Sequence, residues 1–180
     1  MTDRLVTSTG LVLRPWQMSD REAVLAAFTS PDMAHQSREP INTPDAAERW
    51  LRARQEDWQQ GRGYSWAVVD SEDTLLGQVA VTDVEHRHQT GWVSYWTVPA
   101  ARRQGVATHA VRALATWAFN QLDLFRLELG HRTNNPASCR VATAAGFLFE
   151  GLERQRLRYG QERFDVERHA RLATDPAPCP

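Results

Sequence analysis

Arg102-Arg103-Gln104-Gly105-Val106-Ala107 stands between a strand-like run and a long amphipathic pattern, and the reading of these residues decides the fold. Upstream, Gly91-Trp92-Val93-Ser94-Tyr95-Trp96-Thr97-Val98 has the aromatic and β-branched composition of a strand, and Pro99 ends it. Downstream, Ala107, Ala110, Val111, Leu114 and Ala118 recur with the spacing of a helix laid on a sheet. Phe125-Arg126-Leu127-Glu128-Leu129 then supplies a second strand after a short connection. The order predicts a βαβ unit with parallel strands and a right-handed crossover.

A helix start leaves its first backbone N–H groups without intrahelical carbonyls and carries the positive end of the helix dipole, so it attracts phosphate or pyrophosphate. Gly105 and Ala107 keep side-chain bulk away from those amides, and Arg102 and Arg103 add guanidinium groups that meet phosphate oxygens two at a time. The same residues also suit an ordinary strand-to-helix turn whose glycine relieves backbone strain. Neither Gly-x-x-x-x-Gly-Lys-[Ser/Thr] nor Gly-x-Gly-x-x-Gly occurs, which argues against a nucleoside-triphosphatase and a nicotinamide dehydrogenase.

Composition bounds the rest. With 180 residues, 42% apolar and 24% charged, the chain suits one α/β domain over residues 1–173, with 174–180 as a disordered tail. A net charge of −1 gives no general attraction to nucleic acid. No apolar stretch reaches membrane length and the N-terminus lacks a signal-peptide layout, so a cytoplasmic protein without a membrane partner is expected. All 21 basic residues are Arg, so the protein has no Lys ammonium of its own to acylate. Cys139 falls in an expected helix and Cys179 in the tail, which suggests no disulfide framework. His86 and His88 read as solvated turn residues without Cys or His partners at metal spacing, and no metal is expected.

Residues 11–16 read as a first strand, and Ser19-Asp20 as the cap of a helix burying Ala23, Val24, Ala27 and Phe28. Pro44 opens a second helix with Ala47, Trp50, Leu51 and Trp58 on one side. A hairpin spans 64–70 and 75–85, a strand follows at 91–98, then a helix at 104–122, a strand at 125–132 and a helix at 136–145. Two last strands, near 147–158 and 162–172, pair across Tyr159-Gly160-Gln161.

Strand, Pro, Arg-x-x-Gly-x-Ala, helix and strand, followed by Asn135-Pro136-Ala137-Ser138-Cys139-Arg140-Val141 and Ala145-Gly146-Phe147, resemble the GNAT superfamily of acyl-CoA-dependent N-acyltransferases. Within it the chain is most similar to the ribosomal-protein N-terminal acetyltransferase-like branch. The likeness spans nearly the whole chain from Leu11-Val12-Leu13-Arg14-Pro15-Trp16 onward. It implies a mixed twisted sheet of about seven strands, flanked by about four helices, whose parallel strands four and five splay apart.

The resemblance also implies a cofactor site. Pyrophosphate would lie on Arg102, Arg103, Gln104, Gly105, Val106, Ala107 and Thr108, and backbone groups near Trp96, Thr97 and Val98 would pair with pantetheine like an added strand. Asn135 would hold the pantetheine arm or simply cap a helix, and Arg140 would reach the nucleotide phosphates or stand in solvent. Ser138 would sit beside the sulfur, where a departing thiolate with a pKa near ~8.5 needs a hydrogen bond rather than a strong acid.

The implied reaction is direct attack of a neutral amine on an acetyl-CoA or other acyl-CoA thioester, with no metal. Glu85 is the first choice of general base and Glu128 the second, each also explicable as a surface carboxylate. The amine would belong to a protein N-terminus or a small molecule. An antibiotic- or polyamine-modifying transferase shares every motif, a non-catalytic CoA-binding sensor is the reading from another class, and a homodimer is left open. Trp16, Trp66 and Trp92 are weighed between cleft lining and core packing.

Overall fold

Leu5–Val6 (β1), Val12–Pro15 (β2), Tyr64–Val69 (β3), Leu75–Glu85 (β4), Thr90–Thr97 (β5), Arg126–Arg132 (β6), Leu148–Tyr159 (β7) and Glu162–Leu172 (β8) form one sheet. Its spatial order is β1-β2-β3-β4-β5-β6-β8-β7 in the computed structural model, which describes residues 4–33, 36–37 and 39–178. Four α-helices cover it: Arg21–Phe28 (α1), Pro44–Gln59 (α2), Val106–Gln121 (α3) and Pro136–Ala144 (α4). No helix among the described residues is long and apolar enough to cross a membrane. The eighth strand, β1, comes from two residues, too short to show an alternation. The parallel strands four and five of the expected sheet are accordingly β5 and β6.

Sequence pattern explains which face each helix takes. Every residue of β3 is buried, as a strand covered on both faces requires. One layer joins Leu13, Trp66, Val68, Val79, Val81, Val93, Leu127 and Leu129 to the apolar stripe of α3 and to Ala142, Ala145 and Phe147 around α4. The other joins Val12, Ala67, Val69 and Trp96 to Trp16 and to Val24, Phe28, Ala47 and Leu51 of α1 and α2. Thr43 caps α2 by accepting from the Ala46 N–H, with Pro44 at the first helical position.

The expected Asp20 cap of α1 takes another form. No side-chain cap bond is made to that helix; Asp20 accepts from the Gln17 N–H at 2.8 Å and meets Arg14 Nη1 and Nη2 at 2.8 Å each. Arg14 also holds Asp73 through Nε at 2.7 Å, so the buried guanidinium is shared between two carboxylates.

All neighbouring strands are antiparallel except β5 and β6, which pair over only Thr90↔Arg126, Gly91↔Leu127 and Trp92↔Glu128. Beyond Trp92, β5 stays with β4 through Thr97↔Gly77, while β6 stays with β8 through Arg132↔Val166. The sheet therefore splits along its centre. Gly130 marks the split: a Cβ there would stand 3.1 Å from the Trp92 ring and 3.0 Å from Val166.

Of the segment expected as a disordered tail, Thr174 to Pro178 are described: Asp175 accepts from the Leu172 N–H at 2.8 Å, and Pro178 lies beside Gly146. Cys179 and Pro180 lie outside the described residues.

Candidate active site

Alternation along β5 decides what the split offers. Val98 N–H donates to Leu76 O at 2.9 Å, and in this register the N–H and C=O groups of Ser94 and Trp96 also turn to β4. Those of Val93, Tyr95 and Thr97 turn the other way: the Val93 N–H still takes Glu128 O in the last β6 pair, and beyond it β6 has left. The open edge can accept an extended chain through the Val93 carbonyl and the N–H and C=O groups of Tyr95 and Thr97. Of the residues expected to pair with pantetheine, Thr97 turns its backbone groups to the split. Trp96 turns its own to β4, and Val98 spends its N–H on Leu76 O and its C=O on the Ala101 N–H at 3.0 Å. The Trp96 indole packs on the α1/α2 face, 6.2 Å from Trp16 and 5.5 Å from Phe28 between ring centres.

At the end of β5 a short 3₁₀ turn, Pro99–Ala101, carries the chain to the start of α3. Gly105 is the N-cap at φ +75° and supplies no side chain, so the first-turn N–H groups of Val106, Ala107 and Thr108 have no capping side chain. A Cβ at Gly105 would stand 3.2 Å from the His109 ring. Arg103 also sits at positive φ, +64°, a cost on the order of 1 kcal/mol for a residue with a Cβ. The Gln104 side chain closes the loop by donating to Ala100 O at 2.8 Å. Arg102, Arg103 and Gly105 are exposed. The result is an open ring of amides at the positive end of a 16-residue helix.

The second helix start faces the same split, because α4 follows β6 as α3 follows β5 and the two strands are parallel. Asn135 caps α4, its Oδ1 accepting from the Ser138 N–H at 3.2 Å. The Tyr95 hydroxyl crosses from β5 to this turn, 2.7 Å from Ser138 Oγ and 3.1 Å from Ser138 O. Burial pushes the phenol pKa up to about 12, against a smaller opposing effect of the Ser138 hydrogen bond, so Tyr95 remains a proton donor at neutral pH. Tyr95 was not among the sequence candidates. Alternation from Val93 could have placed its side chain on the α3/α4 face, but nothing local indicated that α4 would meet it.

Neither proposed base stands ready at this place. Glu85 pairs with Thr90 at the closed end of β5, about 16 Å from Tyr95 at a rise of about 3.3 Å per residue. Its exposed carboxylate accepts from the Arg87 and His88 N–H groups at 2.8 Å each, and these bonds hold its pKa below the usual carboxylate range. The structure thus places the Glu85 carboxylate on a turn. Glu128 does border the split, opposite Trp92, but its oxygens accept from Arg126 Nε at 2.6 Å and Arg168 Nη2 at 2.7 Å.

Arg140 is exposed on α4. Trp16 and Trp66 are core residues: Trp16 donates to Ser65 Oγ, and Trp66 packs edge-on to Trp58 and Trp117. Trp92 stands at the split with the Arg168 guanidinium 4.4 Å from its ring centre. On the α1/α2 side, the cross-strand neighbours Gln78 and Trp96 each keep one buried polar atom, Oε1 and Nε1, without a hydrogen-bond partner.

Residues 10–148 match the family described as Acetyltransferase (GNAT) domain. The ribosomal-protein-serine acetyltransferase of Escherichia coli (strain K12) is 30% identical over 112 residues, 62% of this chain and 63% of that protein. Among solved structures, the ribosomal L7/L12 alpha-N-protein acetyltransferase RimL, in complex with coenzyme A, superposes with a TM-score of 0.86 at 21% identity, covering 94% of this chain and 97% of that one. The spermidine N-acetyltransferase from Vibrio cholerae, in complex with CoA and spermine, gives 0.81 at 19% identity, covering 92% and 96%.

Proposed function

Because the chain belongs to the acetyltransferase (GNAT) family and is an N-acetyltransferase, we propose that it moves an acetyl group, or another short acyl group, from acyl-CoA to an α-amine, that of a protein N-terminus first. The observation that carries this reading is the split between β5 and β6, bordered by two helix starts and by the Tyr95–Ser138 hydroxyl pair.

The residues present fit coenzyme A. The uncapped amides of residues 103–108, with Arg102 and Arg103 beside them, suit a pyrophosphate, and Gly105 adds no side chain at the cap. The free edge of Tyr95 and Thr97, with the Val93 carbonyl, suits the amide groups of pantetheine, and Asn135 and Arg140 border the same start of α4. Acyl-CoA supplies a thioester that an amine attacks directly, giving an amide and free thiol.

Tyr95 and Ser138 handle the proton at the leaving sulfur. The phenol has one hydrogen and two acceptors, Ser138 O and Ser138 Oγ; when it turns to Oγ, the serine O–H is released to point into the split and stabilise growing negative charge. A thiolate needs little more, since its pKa is near ~8.5.

The acceptor follows from the base. With Glu85 on a turn and Glu128 held by two arginines, deprotonation falls to water or a weak base. An α-amine of pKa about 7.7–8.0 is roughly a tenth neutral at pH 7, whereas a Lys amine near 10.4 is less than a thousandth neutral. The unpartnered Gln78 Oε1 on the α1/α2 side suits an amine N–H. The test is paired kinetics on one short peptide with either its α-amine or its Lys blocked, with spermidine as a third acceptor and CoA release as readout. Higher kcat/KM for the free α-amine is expected. Preference for the Lys-only peptide or for spermidine would overturn the acceptor, and CoA binding without turnover on any amine would favour a sensor.

A further inference from the structure

His131 on β6, Cys139 on α4, and Glu167 and His169 on β8 bring their ligand atoms within 4.8 Å of one another beneath the first turn of α4. The register requires this for three of them: His131 stands opposite Glu167, and His169 opposite Leu129, all on the face that α4 covers. Both imidazoles are buried, 5% and 3% exposed. Their Nε2 atoms lie 3.1 Å apart, and Glu167 Oε2 is 3.6 Å from each. A tetrahedral ion with bonds of about 2.0–2.1 Å holds nitrogen and oxygen ligands about 3.3 Å apart, so these spacings are those of ligands around one centre.

The outer contacts agree. His131 Nδ1 lies 3.1 Å from Arg132 O, and a carbonyl only accepts, so Nδ1 carries the hydrogen and the neutral ring presents its Nε2 lone pair inward. Without an ion the 3.1 Å contact between the two Nε2 atoms is a hydrogen bond whose hydrogen sits on His169, and an ion displaces that hydrogen to the buried, unpartnered His169 Nδ1. A thiolate and a carboxylate offset a dipositive charge, and a thiolate with two imidazoles favours zinc-class metals over magnesium or calcium. Cys139 is a free thiol, and Cys139 and Glu167, both partly exposed, leave a path in.

We propose that His131, Cys139, Glu167 and His169 bind one divalent transition-metal ion of the zinc class. The ion ties β6 and β8 to the start of α4 and fixes the turn that presents Ser138, the residue before Cys139. The proposal departs from the expectation of no metal, which rested on local Cys and His spacing. It does not rest on the acyl-transfer reading.

The probe is Co2+, titrated into the full chain after chelation. One Co2+ per chain is expected, with tetrahedral ligand-field absorption and a thiolate-to-cobalt charge-transfer band, both displaced by Zn2+. Cys139→Ser should abolish the charge-transfer band and weaken binding tenfold or more, His169→Gln should abolish tight binding, and a His86→Ala/His88→Ala variant should bind normally. Thermal melts should show metal-dependent stabilisation in the wild type and none in His169→Gln. If that variant fails to fold, the wild type and Cys139→Ser still decide. Absence of the charge-transfer band in the wild type, or an unchanged spectrum in Cys139→Ser, overturns the site.

Discussion

The two halves of β5 differ in what stands beside them. From Thr90 to Trp92 the strand is paired on both edges, and Gly91 is packed so tightly that a Cβ would stand 2.7 Å from Val81 and 3.0 Å from Leu124. Beyond the Val93 N–H, which makes the last bond to β6, the strand keeps β4 as far as Thr97 and loses β6, so one row of backbone groups is left to another partner. Within one strand, the closed half is packed and the open half is left available to a ligand. Substitutions should separate the two readouts.

The strongest break is at the open end. Gly105→Glu places a side chain and a negative charge among the amides at the start of α3, and CoA affinity should fall at least about 100-fold by calorimetry. The fold should survive, because Gly105 is exposed, at a backbone cost of about 1 kcal/mol for φ +75°. Unchanged affinity in a folded variant would falsify the cradle.

Next comes Ser138→Ala, which should lower kcat about 10–100-fold while leaving acyl-CoA affinity within about threefold, since its partner is a charge that grows in the transition state. Equal loss in kcat and in affinity would reduce Ser138 to a helix-turn residue.

At the closed end the readouts should invert. Gly91→Val overpacks the Val81–Leu124 contact and should lower unfolding free energy by about 1–3 kcal/mol in urea, with kcat near wild type at a permissive temperature. A large kcat loss without loss of stability would show that the two halves are coupled. The smallest effect belongs to Glu85→Gln, which keeps turn acceptors but removes charge; kcat/KM should stay within about twofold across pH 6–9. A rate loss with a shifted pH profile there would restore Glu85 as a base.

The elements were legible because strands and helices leave local marks: the aromatic and β-branched run of β5, a continuous stripe in α3, and helix-start residues at Pro44 and Asn135. The start of α3 was also legible, because Gly and Arg before a helical stripe act through local backbone. What stayed hidden is non-local. The direction of each N–H on β5 depends on its register with β4. Glu128 is occupied by Arg168, 40 residues away in sequence, and Tyr95 meets Ser138 across 43. Four ligand atoms meet only after β8 returns beside β6. Short motif spacings do not see such pairings.

Three residue pairs between β5 and β6 make a narrow spine. The leaf of β1 to β5 and the leaf of β6 to β8 are otherwise joined across the sheet centre by packing and by contacts such as those from Arg112 on α3 to Ala144 O on α4. A ligand seated along the free edge would act as a bookmark, adding cross-links where the binding of the book is thinnest. Its arrival should slow amide exchange most at residues 126–129, away from any atom it touches, so cofactor occupancy is read out mechanically as stiffness at the spine.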